Sequence, residues 1–179
     1  MTRHHIMLQA SRRFISAIPL KKPVSAIEVF NNSCYHKIDF KISDNNRASD
    51  AIRRFTAFNI GCLAVTDNKE KVVGVLSERD YINKVAALGK DATTVKIKDI
   101  CTYGPNIIIA KNTDSLDQCM NKMMFKDIRH LLIIDDKNEE FVGMISIKDL
   151  IKEIMKDKDE IITRLSDFNI GKGGFYGSE

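Results

Sequence analysis

Apolar and polar positions follow the same order twice along this chain. Residues 51–67 align with residues 119–135 at an offset of 68, and residues 73–81 align with residues 142–150 at an offset of 69. The extra residue of the second copy falls in a charged turn, where an insertion disturbs a fold least. Two copies of a unit of roughly 60 residues indicate an internal duplication.

Each copy predicts the order β-α-β-β-α. A short alternating stretch at 38–42, and an apolar one at 107–109, predicts the first strand, and apolar residues spaced by three and four then predict a helix. The apolar helix positions are Ala48, Ala51, Ile52 and Phe55 in the first copy and Leu116, Cys119, Met120 and Met123 in the second.

The second half of each copy predicts a hairpin and a closing helix. Continuous apolar runs at 63–65 and 131–134 indicate strands buried on both faces, each followed by a charged turn and a further strand at 72–76 or 141–145. The closing helices are predicted over 79–88 and 148–155. Each three-stranded sheet must cover its apolar face, so we predict an α+β fold of two tandem units that pack with pseudo-twofold symmetry.

Both copies end in the polar motif Gly-h-h-Ser-x-x-Asp, where h is apolar. It places Ser77 and Asp80, or Ser146 and Asp149, where a strand passes into a helix. A helix N-terminus offers free N–H groups to an anion such as phosphate, and a carboxylate can accept hydrogen bonds from a vicinal diol such as ribose. The alternative is a plain helix cap. Repetition of the motif in both copies favours a ligand site.

The duplicated unit with this motif resembles the CBS domain, and the tandem pair resembles the Bateman module. The resemblance covers about residues 35–155 and is closest to small stand-alone CBS-pair proteins of bacteria and organelles; the segment 164–176 is similar to the tail of mitochondrial members. It implies a first unit at 35–89, a linker at 90–98, a second unit at 99–156, and a C-terminal helix with a Gly-rich tail at 157–179.

The resemblance also implies a ligand and its contacts. Members bind adenine nucleotides between the two units, so Asp80 and Asp149 are expected to hold ribose hydroxyls, with polar contacts from Ser77 and Ser146. Arg129 is expected to face phosphate. The remaining candidate residues are the apolar or small positions Ile60, Gly61, Cys62, Ile107, Ile108 and Ile128 near adenine, and the basic residues Arg79, Lys148 and His130 near phosphate.

The two expected sites are unequal. The first copy has Gly61-Cys62 where the second has the basic pair Arg129-His130, so phosphate is expected wherever that pair points. Arg79 and Lys148 could equally be solvated cations at helix starts. Members often have Pro at position 132 and Met at position 101, where this chain has Leu132 and Cys101, which weakens the expectation for one adenine pocket.

The net charge of +4 is confined to the N-terminal segment. Residues 1–30 contain five basic side chains and one acidic one, and the rest of the chain is balanced. This argues against a nucleic-acid-binding body. An Arg-rich, acid-poor, partly amphipathic start is typical of a mitochondrial transit peptide, with cleavage predicted near Phe14. The alternative is a disordered basic tail that targets nothing.

The remaining composition excludes several classes. The chain is 44% hydrophobic and 29% charged, and no apolar run approaches the ~18 residues of a membrane span. Four widely spaced cysteines predict reduced, mostly buried thiols and neither a zinc site nor a disulfide scaffold. No Walker loop, nucleophile elbow or catalytic Cys-His arrangement is present.

The leading hypothesis is a non-catalytic adenine-nucleotide sensor of the mitochondrial matrix. AMP, ADP, ATP or a related adenosyl ligand would act as regulatory ligand, with no catalytic cofactor or metal. Apolar helix faces favour a homodimer, and resemblance to organellar members implies a regulated enzyme of redox or respiratory metabolism. The alternative is a structural or interaction module whose clefts have degenerated.

Overall fold

The computed structural model describes residues 22–169. The predicted cleavage site near Phe14 and the Gly-rich tail lie outside the described residues. In chain order, the elements up to the end of the first unit are α1 (Ala26–Asn32), β1 (Lys41–Ser43), α2 (Ala48–Phe58), β2 (Cys62–Thr66), β3 (Val72–Ser77) and α3 (Glu78–Lys84).

The linker and the second unit follow. Two 3₁₀ turns, Ala86–Leu88 and Ile97–Asp99, lie at the two ends of the linker and are followed by β4 (Thr102–Tyr103) and a third 3₁₀ turn, Gly104–Asn106. The second unit contains β5 (Ile109–Lys111), α4 (Leu116–Lys126), β6 (His130–Ile134), β7 (Phe141–Ser146) and α5 (Ile147–Asn169). Both units have the predicted order β-α-β-β-α.

The two sheets repeat the same pairing. Unit 1 has the order β1-β2-β3-β4 and unit 2 the order β5-β6-β7. In each unit the first strand pairs in parallel with the second, which forms an antiparallel hairpin with the third. The register shifts between Val65 and Thr66 in one hairpin and between Ile133 and Ile134 in the other. These positions are related by the offset of 68, so the duplication extends to this irregularity.

The core lies between the sheets and the helices. Every residue of β2 is buried, as the continuous apolar run predicts for a strand covered on both faces. Helix α2 buries Ala48, Ala51 and Phe55, and helix α4 buries the corresponding Leu116, Cys119 and Met123. Among residues 22–169, no helix is both long and apolar enough to cross a membrane.

The segments that precede the units cross over. The backbone N–H of Leu116, in unit 2, donates to Val24 just before α1 at 2.9 Å, and the N–H of Ala48, in unit 1, donates to Val95 of the linker at 2.9 Å. Helix α1 thus packs on unit 2, and the linker packs on unit 1. Each unit is completed by the segment that leads into the other, which ties the pair together.

The structure corrects the predicted N-terminal boundary. We expected residues 1–30 to be a removable or disordered segment, but Ala26, Val29 and Phe30 of α1 are buried in the core. A β-carbon at Gly143 of β7 would lie 2.4 Å from the Phe30 ring, so glycine is what lets the ring pack against that strand. The folded part therefore begins before residue 26.

Several predicted element bounds also differ. Strand β1 begins at Lys41 and β5 at Ile109, later than the apolar patterns indicate. Helix α3 ends at Lys84, before a 3₁₀ turn. Thr102–Tyr103, assigned to unit 2, adds a fourth strand to the sheet of unit 1. Helix α5 runs through residue 155 to Asn169 as one helix, because no Gly or Pro interrupts it and its charged residues favour a helix even beyond the unit.

Candidate functional site

Two clefts lie between the units, and we call them cleft A and cleft B. Cleft A has a volume of about 270 Å³ and cleft B about 230 Å³, slightly below the ~300–1,000 Å³ usual for small-molecule sites. The principal residues of cleft A are Tyr35, Phe40, Asn59, Ile60, Gly61, Glu78, Ser146, Lys148 and Asp149. Those of cleft B are Ser77, Arg79, Asp80, Thr102, Asn106, Ile107, Ile108, Asp127, Ile128 and Leu132. Cys62, Arg129, His130 and Met144 line both.

Each cleft combines the motif of one unit with the lead-in segment and a strand start of the other. In cleft A, Asp149 of unit 2 lies with Tyr35 and Ile60 of unit 1. In cleft B, Asp80 of unit 1 lies with Ile107 and Ile128 of unit 2. The crossover of the lead-in segments produces this arrangement. A molecule bound in either cleft would contact both units.

The motif closes a capping box in both copies. Asp80 Oδ2 accepts from the Ser77 N–H at 3.0 Å and from Ser77 Oγ at 2.6 Å, and Ser77 Oγ accepts from the Asp80 N–H at 3.2 Å. Ser146 and Asp149 repeat the arrangement at 2.9, 2.6 and 3.3 Å. The plain-cap interpretation therefore applies to both motifs. The cap occupies Oδ2 and leaves Oδ1 of each aspartate for another donor.

The second donor differs between the clefts. In cleft B, Lys84 Nζ donates to Asp80 Oδ1 at 2.8 Å and also to the Ile100 carbonyl at 2.5 Å. Although burial opposes the shift, the hydrogen bonds from Lys84 and Ser77 lower the pKa of Asp80. In cleft A, Ser33 Oγ donates to Asp149 Oδ1 at 3.1 Å, and both residues are buried.

The basic pair expected to face a single site lies between both clefts. His130 packs over Gly61 of the other unit: a β-carbon there would lie 3.2 Å from His130 Cε1 and 3.1 Å from Glu78 Oε2. Burial, and then the charge of Arg129, lower the pKa of His130 to about 4, against the opposite effect of Asp149. The imidazole is therefore neutral at pH 7 and would add charge only below about pH 4. Arg129 is the permanent cation of the pair.

The two other predicted basic residues, Arg79 and Lys148, differ in their contacts. Arg79 Nη1 lies 3.4 Å from Asp127 Oδ2 and 3.3 Å from the Asp127 carbonyl, so it joins the two units across the mouth of cleft B. In cleft A the corresponding cation is the exposed Lys148, and the position of Asp127 is taken by Asn59. Asn59 and Asp127 both end their helices in the left-handed conformation, with φ of 52° and 49°.

All fourteen predicted site residues line one cleft or both. Sequence reasoning missed the residues from the crossed-over segments, notably Ser33, Tyr35 and Thr102, and the donor Lys84. The repeat alignment could have indicated Asn59 and Asp127, since they directly precede the predicted positions 60–62 and 128–130. Nothing in the sequence indicated Ser33, because its contact spans 116 positions.

The described residues include no cluster of His, Cys, Asp and Glu arranged to hold a metal ion. The four cysteines are free thiols; Cys62 and Cys119 are buried, Cys101 is partly buried and Cys34 is exposed. Burial raises the pKa of Cys62 to about 12, so this thiol, although it lines both clefts, is neutral and unreactive.

A family model for the CBS domain matches residues 36–87 and again residues 97–156. The chain belongs to the CBS-domain family. Among its relatives is the CBS domain-containing protein CBSX3, mitochondrial, of Arabidopsis thaliana, which is 30% identical over 119 residues that make up 65% of this chain and 57% of that protein. An inosine-5'-monophosphate dehydrogenase of Methanocaldococcus jannaschii is 29% identical over 62% of this chain, but the match covers only 21% of that enzyme.

Solved CBS structures share the fold. A protein of Burkholderia ambifaria described as a signal-transduction protein with CBS domains is similar with a TM-score of 0.68 and 25% identity, over 75% of this chain and 96% of that one. A CBS domain protein of Pyrobaculum aerophilum, complexed with AMP, has a TM-score of 0.61 and 23% identity, over 70% of this chain and 89% of that one. The chain is thus a CBS pair of mixed α/β fold.

Proposed function

We propose that this CBS pair is a non-catalytic regulatory module that binds an adenine nucleotide, or a related adenosyl ligand, between its two units. The observation that carries the proposal is the construction of the clefts. Each places a motif carboxylate from one unit opposite apolar residues of the other, such as Asp80 opposite Ile107 and Ile108. A ligand held from both sides can favour one arrangement of the units over another, which a partner can read.

The charges in the clefts suit a nucleotide. The motif aspartate is the acceptor for ribose hydroxyls, Arg129 supplies a permanent cation to both clefts, and the helix starts at Ser77 and Ser146 present N–H groups. The apolar residues form a wall for the adenine ring. The Pyrobaculum aerophilum protein of the same fold is complexed with AMP, which supports this class of ligand.

The proposal also covers the cellular location, the oligomeric state and the partner of the module. One relative is called mitochondrial, and the excess positive charge of the first thirty residues suits a matrix import signal. Helices α3, α4 and α5 expose Ile82, Met124, Phe125 and Ile151, an apolar surface suited to a homodimer. We propose an enzyme of redox or respiratory metabolism as the regulated partner.

Calorimetric titration of the full-length chain with AMP, ADP, ATP and an adenosyl sulfonium compound tests the proposal. We expect binding by the wild type and its loss in the variant Asp80→Ala/Asp149→Ala, with circular dichroism showing that the variant stays folded. Asp117→Ala is the matched control, because Asp117 is also an acid in the first turn of a helix but lies outside both clefts. If no adenosyl compound binds the wild type at millimolar concentration, the proposal is wrong.

One observation favours a second candidate, an interaction module with degenerate clefts. Both oxygens of Asp80 and of Asp149 already accept hydrogen bonds from within the chain. In that case the aspartates serve only as helix caps, and no nucleotide would bind the wild type in the calorimetric titration. The same titration therefore separates the two candidates.

A further inference from the structure

We infer that the hydroxyl of Ser33 competes with a ribose hydroxyl for Asp149, so that cleft A binds a nucleotide more weakly than cleft B. The inference rests on the proposed function and assigns unequal affinities to its two clefts. It concerns a residue outside both motifs, on the segment that joins α1 to β1.

The carboxylate of Asp149 has a limited number of positions at which it can accept a hydrogen bond. Each carboxylate oxygen can accept about two hydrogen bonds. In Asp149, Oδ2 accepts two from Ser146 and Oδ1 accepts one from Ser33. One acceptor position remains, whereas the two hydroxyls of a ribose need two. Full engagement of the diol therefore displaces Ser33.

Ser33 is not free to move aside. Its residue is only 8% exposed, and its Oγ also accepts from the Tyr35 N–H at 3.2 Å. Its own N–H donates to the Phe30 carbonyl at 3.0 Å, and the Phe30 ring is packed on Gly143. Displacing the hydroxyl from Asp149 breaks a buried hydrogen bond to a carboxylate and leaves the hydroxyl proton without an acceptor, which opposes ligand binding.

In cleft B, the group that competes with ribose for the aspartate is easier to displace. Asp80 has the same number of occupied positions, but its second donor is Lys84, whose side chain is 42% exposed. A displaced ammonium group turns into solvent and is hydrated, so an ion pair of this kind is easily exchanged. The position of Lys84 in the second copy, at the offset of 69, is taken by the buried acid Glu153. Asp149 thus has Ser33 in place of a lysine.

Isoleucine methyl groups allow each cleft to be followed separately. Ile60 and Ile147 line cleft A, while Ile107, Ile108 and Ile128 line cleft B. We therefore propose a titration of the full-length chain, labelled at isoleucine methyls, with AMP as the probe. The methyl signals of cleft B are expected to shift at lower AMP concentration than those of cleft A.

Variants at position 33 test whether Ser33 causes the difference in AMP affinity between the two clefts. Ser33→Ala removes the competitor and is expected to tighten AMP binding in cleft A about tenfold, with less than about a twofold change in cleft B. Ser33→Cys, which preserves the volume and donates poorly, should act in the same direction if the alanine variant folds badly. The matched control is Cys101→Ala, at the position related to Ser33 by the offset of 68, and it should leave both affinities within about twofold.

Two results would overturn the inference. One is a wild type in which the signals of cleft A shift first, and the other is a Ser33→Ala variant whose cleft A binds AMP no more tightly than the wild type. A merely structural Ser33 would lower the melting temperature without strengthening binding. If none of AMP, ADP, ATP and the adenosyl sulfonium compound shifts a methyl signal of the wild type at millimolar concentration, the proposed function fails and the inference falls with it; if another of these compounds binds and AMP does not, that compound replaces AMP in the same comparison.

Discussion

Clefts A and B are built from copies of one unit, and their motifs make the same capping hydrogen bonds to within 0.1 Å. Their surroundings differ at the neighbouring positions. Asp80 pairs with the half-exposed Lys84, while Asp149 is buried and accepts from Ser33. The mouth of cleft B carries the ion pair between Arg79 and Asp127, and that of cleft A carries Lys148 and Asn59.

The comparison separates what the motif does by itself from what its neighbours add. A Ser-x-x-Asp sequence after a strand caps the next helix wherever it occurs, because the box is closed by atoms three residues apart. The second donor to Asp149 comes from a distant segment, whereas the second donor to Asp80 is Lys84, one turn along the same helix. The duplication therefore preserved the local structure of the two motifs and allowed their sites to diverge.

The largest expected effect is on stability. We expect Asp149→Ala to lower the free energy of unfolding by about 3 kcal/mol, because it leaves the Ser33 hydroxyl and the Ser146 N–H without their buried acceptor. Asp80→Ala should lower it by only about 1 kcal/mol, the usual effect of losing a helix-capping contact and an ion pair that is only partly buried. Urea unfolding monitored by circular dichroism measures both. If the two variants lost the same free energy of unfolding, the greater burial of Asp149 would not make its hydrogen bonds more stabilising than those of Asp80.

A second effect concerns pH and His130, one of the residues that line both clefts. The pKa of His130 is lowered to about 4 in the folded protein, against about 6.5 in an unfolded chain. The unfolded state thus binds the proton more readily, so the stabilising effect is complete above pH 6.5 and is lost as the pH falls toward 4. We expect a loss of about 3 kcal/mol over this range.

Thermal unfolding of the wild type and of His130→Gln between pH 4.5 and 7.5 measures this effect. The groups that face the imidazole are Arg129, Asp149 and the Glu78 carboxylate beside Gly61. The carboxylates with lowered pKa values, including Asp80, lose their stabilising effect only as the pH falls below about 4. A variant whose melting temperature falls with pH as steeply as that of the wild type would show that another group is responsible.

The smallest change in stability is expected from substitutions at the mouths of the clefts. Arg79 and Asp127 have side chains that are 51% and 95% exposed, so Asp127→Asn should change the free energy of unfolding by less than about 0.5 kcal/mol. It releases Arg79 for a phosphate group, and ATP binding in cleft B should tighten about threefold, with a smaller change for AMP.

The reciprocal variant, Asn59→Asp, is the matched control in cleft A. It places a carboxylate beside Lys148 and should weaken ATP binding there by a similar factor. Both changes should diminish at high salt, because the charges are exposed. Unchanged ATP affinity in both variants would mean that phosphate lies away from the mouths of the clefts.

Much of the fold could be predicted because its signals are local. The apolar run at 63–65 and the helix spacing from Ala48 to Phe55 each depend on residues that are neighbours in sequence, and the structure confirms both elements. The bounds of α5 could not be predicted in this way. The apolar residues that pack on the unit end near residue 155, but helix formation continues for as long as the backbone permits it.

The candidate site was predictable to the extent that it repeats. Ser77, Asp80 and their counterparts are visible as a duplicated motif, and positions 60–62 and 128–130 were implied by the resemblance to the CBS domain. Ser33 could not be found, since it has no counterpart with the same chemistry: the position 68 residues later is Cys101. The neutral state of His130 could not be predicted from the sequence either, because it results from packing against Gly61 of the other unit.

By itself, the sequence determined the duplicated unit, its strands and helices, and the two capped motifs, because hydrophobic periodicity and capping act over a few residues. The tertiary structure alone decided that α1 belongs to the folded core, that the lead-in segments cross over, and that Arg129 and His130 lie between both clefts. It also decided that Asp149 accepts from Ser33. These features depend on contacts between segments far apart in the chain, where burial and packing determine the partner of each polar group.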